Sequence, residues 1–111
     1  MTTPDDRGLV ALKLMDLAME WIKARIDLLT DCPSLVIYPS YRNVTIGFGY
    51  FGEGSDALAK ILRLLEGQTA TRKIESAVLA YSVGDDKNGI RFTWYVWKTS
   101  DSSDLETEVT L

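Results

Sequence analysis

The pattern G-x-G-x-x-G, formed by Gly47, Gly49 and Gly52 in the stretch TIGFGYFGEGS, is the spacing in this chain that could cradle a phosphate. Such a cradle works because small residues let backbone N–H groups close on the anion while a helix N-terminus aims its partial positive charge at it. The glycine turn must therefore run directly into a helix, and an acid about 20 residues later must end the next strand. Here Ser55, the expected helix start, stands three residues beyond Gly52, and the bulky Tyr50 and Phe51 occupy positions between the glycines. Glu75 has about the right separation but falls where a strand begins, and no Gly-Lys-Ser/Thr follows to make a Walker-type loop. The glycines are instead read as space. Small residues at alternate strand positions leave a shallow groove for a helix, another backbone or a small nucleotide-like ligand.

Catalytic chemistry has little to work with. The chain has no histidine, and Cys32, beside Pro33, is its only cysteine. Common nucleophile–base pairs, an internal disulfide and the usual zinc sites cannot be assembled from that set. The paired acids Asp85–Asp86 and Asp5–Asp6 suit a hairpin turn and the first turn of a helix, where solvated carboxylates are ordinary. We therefore read a non-enzymatic protein without cofactor or metal.

A chain of 111 residues builds one core, and 46% hydrophobic with 25% charged residues is the balance of a folded globular domain. Thr3 as cap, Pro4 at the first helical position and Asp5 and Asp6 after it predict a helix running to near Thr30. Short β-branched and aromatic runs at 35–39 and 43–51 predict two strands. A second helix follows from Ser55 as cap to Gly67 as stop, with Leu58, Ile61, Leu62 and Leu65 on its buried face. Strands at 74–83 and 90–99, joined by GDDKNG, complete the order α-β-β-α-β-β. The expected fold is α+β, one antiparallel sheet with helices packed on one face. Residues 1–100 form the domain and 101–111 an acidic tail, whose alternating Leu105, Thr107, Val109 and Leu111 could add a weak edge strand.

Strand alternation places Val44, Ile46, Phe48 and Tyr50 on one face of the second strand and Thr45, Gly47, Gly49 and Phe51 on the other. The centre of that strand, Gly47 to Tyr50 (GFGY), resembles the RNP1 strand of the RNA-recognition motif. That resemblance implies single-stranded RNA stacked on sheet aromatics. The chain departs from the motif at Ile46, where RNP1 has a basic residue, and at Glu53, where it has an aromatic. No strand precedes the first helix, and residues 1–100 carry no net charge with Arg72-Lys73 as their basic run. Phosphate neutralisation supplies most non-specific nucleic-acid affinity, so RNA is the alternative and not the leading reading.

The last strand alternates in the same way. Ile90, Phe92, Trp94 and Val96 would face the core, leaving Arg91, Thr93, Tyr95 and Trp97 on the opposite face. Arginine beside large aromatics is the composition of interface hot spots, so Arg91, Tyr95 and Trp97 are expected to contact a protein partner. The net charge of −4 comes from Asp101, Asp104, Glu106 and Glu108, which could engage a basic patch on that partner. The first helix carries two apolar stripes, Leu12, Met15, Met19, Ile22, Ile26, Leu29 and Val10, Leu14, Leu17, Trp21, Leu28, more than one sheet face can cover. Leu14, Leu17 and Trp21 are therefore expected to mediate a homodimer. With no apolar run long enough for a membrane span and an acidic, polar opening, the expected setting is the cytoplasm. The profile is that of a stoichiometric inhibitor or adaptor, of the kind found among phage anti-defence proteins, immunity proteins and chaperones.

Overall fold

The computed structural model describes residues 4–39, 42–85, 89–97 and 106–111. The elements run α1 (Pro4–Lys23), α2 (Ile26–Leu29), β1 (Val36–Pro39), β2 (Val44–Phe51), α3 (Asp56–Leu64), β3 (Thr69–Glu75), β4 (Val78–Asp85), β5 (Ile90–Trp97) and β6 (Glu106–Thr110). The class is α+β, as expected. One six-stranded sheet has the order β1-β2-β5-β4-β3-β6, antiparallel everywhere except for the parallel pair β2–β5. Thr3, Asp86, Asp101 and Asp104, and the side chains of Asp5, Asp6 and Asp85, lie outside the described residues.

The order departs from the expected one in three places. The segment read as one strand over 74–83 is two strands, β3 and β4, folded back at Ser76 and Ala77. That turn carries neither glycine nor asparagine; Ser76 itself takes the left-handed conformation, φ 46°. β6 is a full strand, hydrogen-bonded along β3 from Thr69↔Thr110 to Lys73↔Glu106, so Glu106 and Glu108 belong to the sheet. Leu111 ties it further, its carbonyl accepting from Gly67 N–H at 2.9 Å and its N–H donating to Gln68 at 3.0 Å. The first helix also ends early. Arg25 Nη1 donates to the Trp21 carbonyl at 3.1 Å, taking the acceptor that a continuing helix would offer to the Arg25 N–H, which turns instead to Ile22. Its guanidinium rests 4.5 Å from the centre of the Trp21 ring.

Both longer helices cover one face of the sheet. α1 lies against β1, β2 and β5, while α3 adds Leu58, Ile61 and Leu65 to the same core as Val83, Phe92 and Trp94. Ser55 caps α3 as expected, its hydroxyl accepting from Leu58 N–H at 3.3 Å. The core is aromatic. Trp21 sits 4.8 Å from Phe92 and 6.1 Å from Phe48, Phe48 and Phe92 stack at 5.9 Å, and Trp94 stacks on Tyr81 at 5.2 Å.

The β2–β5 pairing carries a bulge. Its register runs Gly47↔Thr93 and then Tyr50↔Tyr95, so Phe48 and Gly49 together face Trp94. Gly49 supplies the bend at φ +93°, and a Cβ there would lie 3.1 Å from the backbone N and O of Ser34. A side chain would thus be strained both by its own backbone and by its neighbour. Gly49→Ala is expected to cost about 1–3 kcal/mol, read as a lowered urea midpoint at unchanged slope.

Candidate functional site

β5 divides its side chains as alternation requires. Phe92, Trp94 and Val96 are buried, while Arg91 and Trp97 are exposed and Thr93 and Tyr95 half-buried on the face away from the helices. On β2, Val44, Ile46 and Phe48 point into the core, but the bulge reverses the order beyond Gly49. Phe51 is therefore buried and Tyr50 emerges on the open face, contrary to the expectation that Tyr50 follows Phe48 inward. The physical reason is parity: one extra residue in a strand of period two moves every later side chain to the other face.

That reversal assembles the aromatic patch. Tyr50 stacks on Tyr95 with centroids 4.6 Å apart and on Trp97 at 5.2 Å. Tyr38 on β1 is also exposed on this face, its ring beside Gly47. Arg91 is not part of the cluster. Six residues from Trp97, roughly 20 Å along the strand, it donates to Ser82 Oγ at 3.2 Å. There it borders a hollow of about 330 Å³ shared with Lys73, Glu106 and Tyr95. The open face thus has an aromatic half on β1, β2 and β5 and a polar half on β4, β3 and β6. Among the described residues its charges are Lys73 and Arg91 against Glu75, Glu106 and Glu108, with Lys73 already 3.4 Å from Glu75.

The glycine groove exists only in part. Gly47 and Gly49 line a hollow of about 140 Å³ with Ser34, Val36 and Tyr38, but Gly52 stands apart in open space. Val36 Cγ2 would come within 2.9 Å of a Cβ at Gly47, and Ser34 within 3.1 Å of one at Gly49, so the room these glycines make is occupied by β1 and the residue two before it. What remains is below the ~300–1,000 Å³ of small-molecule sites. Of the residues expected to mediate self-association, Trp21 packs on Phe92 and Leu14 reaches Gly89, which leaves Leu17 exposed. The exposed apolar surface of α1 is formed by Leu9, Val10, Leu12, Leu17 and Met19.

A second feature lies on the helix side of the sheet. A cleft of about 400 Å³ opens between α3 and the strands β3, β4, β5 and β6. Cross-strand register sets Thr107, Arg72, Tyr81 and Trp94 in one transverse row, the last three of which line the cleft. Arg72 Nε and Trp94 Nε1 are buried donors without a hydrogen-bond partner among the described residues. Each such group costs about 1–3 kcal/mol if left unsatisfied. Neither donor was visible as unpartnered in the sequence, because the pairing that buries them requires β3 and β6, the strands that alternation underread.

Burial, then the neighbouring Asp31 carboxylate, pushes the Cys32 thiol above its ordinary value, which makes it a poor nucleophile at neutral pH. Lys60 is held protonated to higher pH than usual by its 2.6 Å hydrogen bond to Asp31 and by that carboxylate's charge. Among the described residues no three His, Cys, Asp or Glu side chains group to hold a metal, and no helix is long and apolar enough to cross a membrane. The chain matches no protein-family model, no curated protein and no solved structure.

The two sides of the bulge have distinct energetic signatures. Phe51→Ala removes a buried ring and is expected to cost about 3–5 kcal/mol. Tyr50→Ala gives up exposed ring stacking alone and is expected to cost no more than about 1.5 kcal/mol. Chemical denaturation of both variants checks the assignment, and the reverse ranking would place Tyr50 inside. Cys32 gives a separate check: its alkylation by iodoacetamide should reach half-maximal rate at higher pH than that of an unstructured cysteine peptide, with Asp31→Asn bringing the two closer.

Proposed function

We propose that the protein acts without catalysis, as a cytoplasmic inhibitor or adaptor that occupies the surface of another protein with its open sheet face. The observation that carries this reading is the Tyr50–Tyr95–Trp97 stack, in which Tyr50 and Trp97 are 48% and 51% exposed. Tyrosine and tryptophan anchors supply large contact area with little side-chain entropy to lose, and a polar rim shields them from water. Arg91, Lys73, Glu106 and Glu108 have the placement of such a rim. The exposed apolar side of α1, centred on Leu12 and Leu17, suits a companion role in self-association. Phage anti-defence proteins, immunity proteins and chaperones remain the class of protein this profile fits.

Single-stranded RNA is the second reading, and the outward Tyr50 is the observation in its favour. Two features weigh against it. The rings stack on one another, which uses faces that bases would need, and among the described residues the acids on the open face outnumber its bases.

Quantitative capture from host lysate with wild-type protein, Tyr50→Ala, Trp97→Ala and the helix variant Leu12→Ser separates these readings. A partner lost with the two sheet variants and kept by Leu12→Ser is the expected result. With that partner purified, Trp97→Ala should weaken binding about 30-fold or more, the size of a hot-spot residue. Full retention by both sheet variants would exclude this face. Retarded migration of an oligouridine at low salt, abolished by Tyr50→Ala and steeply weakened by salt, would establish the RNA reading instead.

A further inference from the structure

The cleft on the helix side of the sheet is distinct from the open face and has the makings of a ligand site. Its walls are apolar, Leu58 and Leu62 from α3 above, and Leu79, Tyr81, Trp94 and Val96 from the sheet below. Its volume of about 400 Å³ falls within the range of small-molecule pockets. Two polar groups interrupt this lining in a specific way. Trp94 is fully buried, forms part of the wall, and has an indole N–H that finds no acceptor. Arg72, one strand beyond Tyr81 in the same row, also lines the cleft. Its Nη2 donates to Thr107 Oγ1 at 3.4 Å, a long bond to a neutral partner, while its buried Nε has none. No carboxylate is ion-paired to Arg72 among the described residues.

The missing complement can be read from that inventory. Both unpartnered atoms are donors, so the complement must present acceptors. One donor belongs to a permanent cation whose fork matches a carboxylate, so the complement carries an acidic head. Ordered water could satisfy the N–H groups but would leave the guanidinium without a paired carboxylate and the leucine wall wet. Among the described residues Arg72 is the one cation of the lining, which also includes the acid Glu53, and that balance suits one negative charge and not a polyphosphate. We propose that this cleft binds a small amphipathic organic monoanion, its carboxylate against Arg72 and its apolar body over Tyr81 and Trp94 beneath α3.

Decanoate is a suitable probe, with decanol as its uncharged counterpart. In protein labelled with nitrogen-15, the Arg72 Nε–H and Trp94 Nε1–H resonances should shift together and saturate with decanoate. The indole signals are assigned with Trp21→Phe and Trp97→Phe. Arg72→Gln and decanol should each weaken binding at least ten-fold, while indole dispersion in the free variant stays that of wild type. Leu62→Trp fills the cleft from the α3 side and should abolish binding with Arg72 intact. The proposal is overturned by equal affinity for decanol, by undiminished binding to Arg72→Gln or Leu62→Trp, by shifts confined to the Trp21 or Trp97 indole, or by no saturable shift up to the solubility of decanoate.

Discussion

Much of this structure depends on the two-against-one bulge where Phe48 and Gly49 of β2 face Trp94 of β5. Before it, β2 sends Val44, Ile46 and Phe48 inward; after it, Phe51 goes inward and Tyr50 outward. A strand has no other inexpensive way to change the face of its later residues, because side-chain direction is fixed by the pleat. The change requires a residue that tolerates φ +93° with the Ser34 backbone 3.1 Å from where its Cβ would stand, and Gly49 alone meets that condition. Core and open face are thus coupled through one position. The core gains Phe51 and the open face gains the ring that joins Tyr95 and Trp97 into a patch.

The helix layer sets the second constraint. α3 has nine residues and is therefore about 14 Å long, whereas β3, β4 and β5 have seven to eight residues each and run to roughly 23–27 Å. A helix this short cannot close over the full length of the strands, and α1 is committed to β1, β2 and β5. Leu79, Tyr81, Val109 and Leu111 consequently remain partly buried at the border of the core. The cleft is where helix coverage ends. Its two donors sit there because β3–β4–β5 register fixes Arg72, Tyr81 and Trp94 at one level.

The parts of the fold legible in the sequence were those where local chemistry and tertiary context agree. Ile90, Phe92, Trp94 and Val96 alternate cleanly because β5 is central and packed on one face, and Ser55 caps α3 by a bond that needs no distant partner. Gly49 was legible as a need for room, but its positive φ, and with it the fate of Tyr50, was not. A glycine that makes room and a glycine that reverses a strand look alike in one sequence. β3 was hidden because its open-face residues Thr71, Lys73 and Glu75 are polar and its turn rests on Ser76, a weaker turn former than the glycine or asparagine usual at positive φ. The first helix misled in the other direction. Its apolar content suggested continuous burial, yet Ala18 and Ile22 are the buried residues among the described side chains of α1, and the chain breaks where Arg25 captures the Trp21 carbonyl.

How a partner could approach also follows from the edges of the sheet. An exposed strand edge is a ready template for another strand, and proteins blunt it with short edge strands, charge and proline. Both edges here carry such features. β1 has four residues and ends in Pro39, and β6 has five with Glu106 and Glu108 on one side. Addition of a partner strand to either edge would find few backbone groups to pair and, at β6, a row of carboxylates. The broad face between the edges is different in kind: Tyr50 and Trp97 expose large rings there on the interior strands β2 and β5. Recognition that uses main-chain pairing is therefore disfavoured at the margins, while recognition that uses side-chain burial would meet rings already stacked on one another. Rings that are stacked before binding have less side-chain freedom to lose, the circumstance in which a few aromatic anchors suffice for affinity.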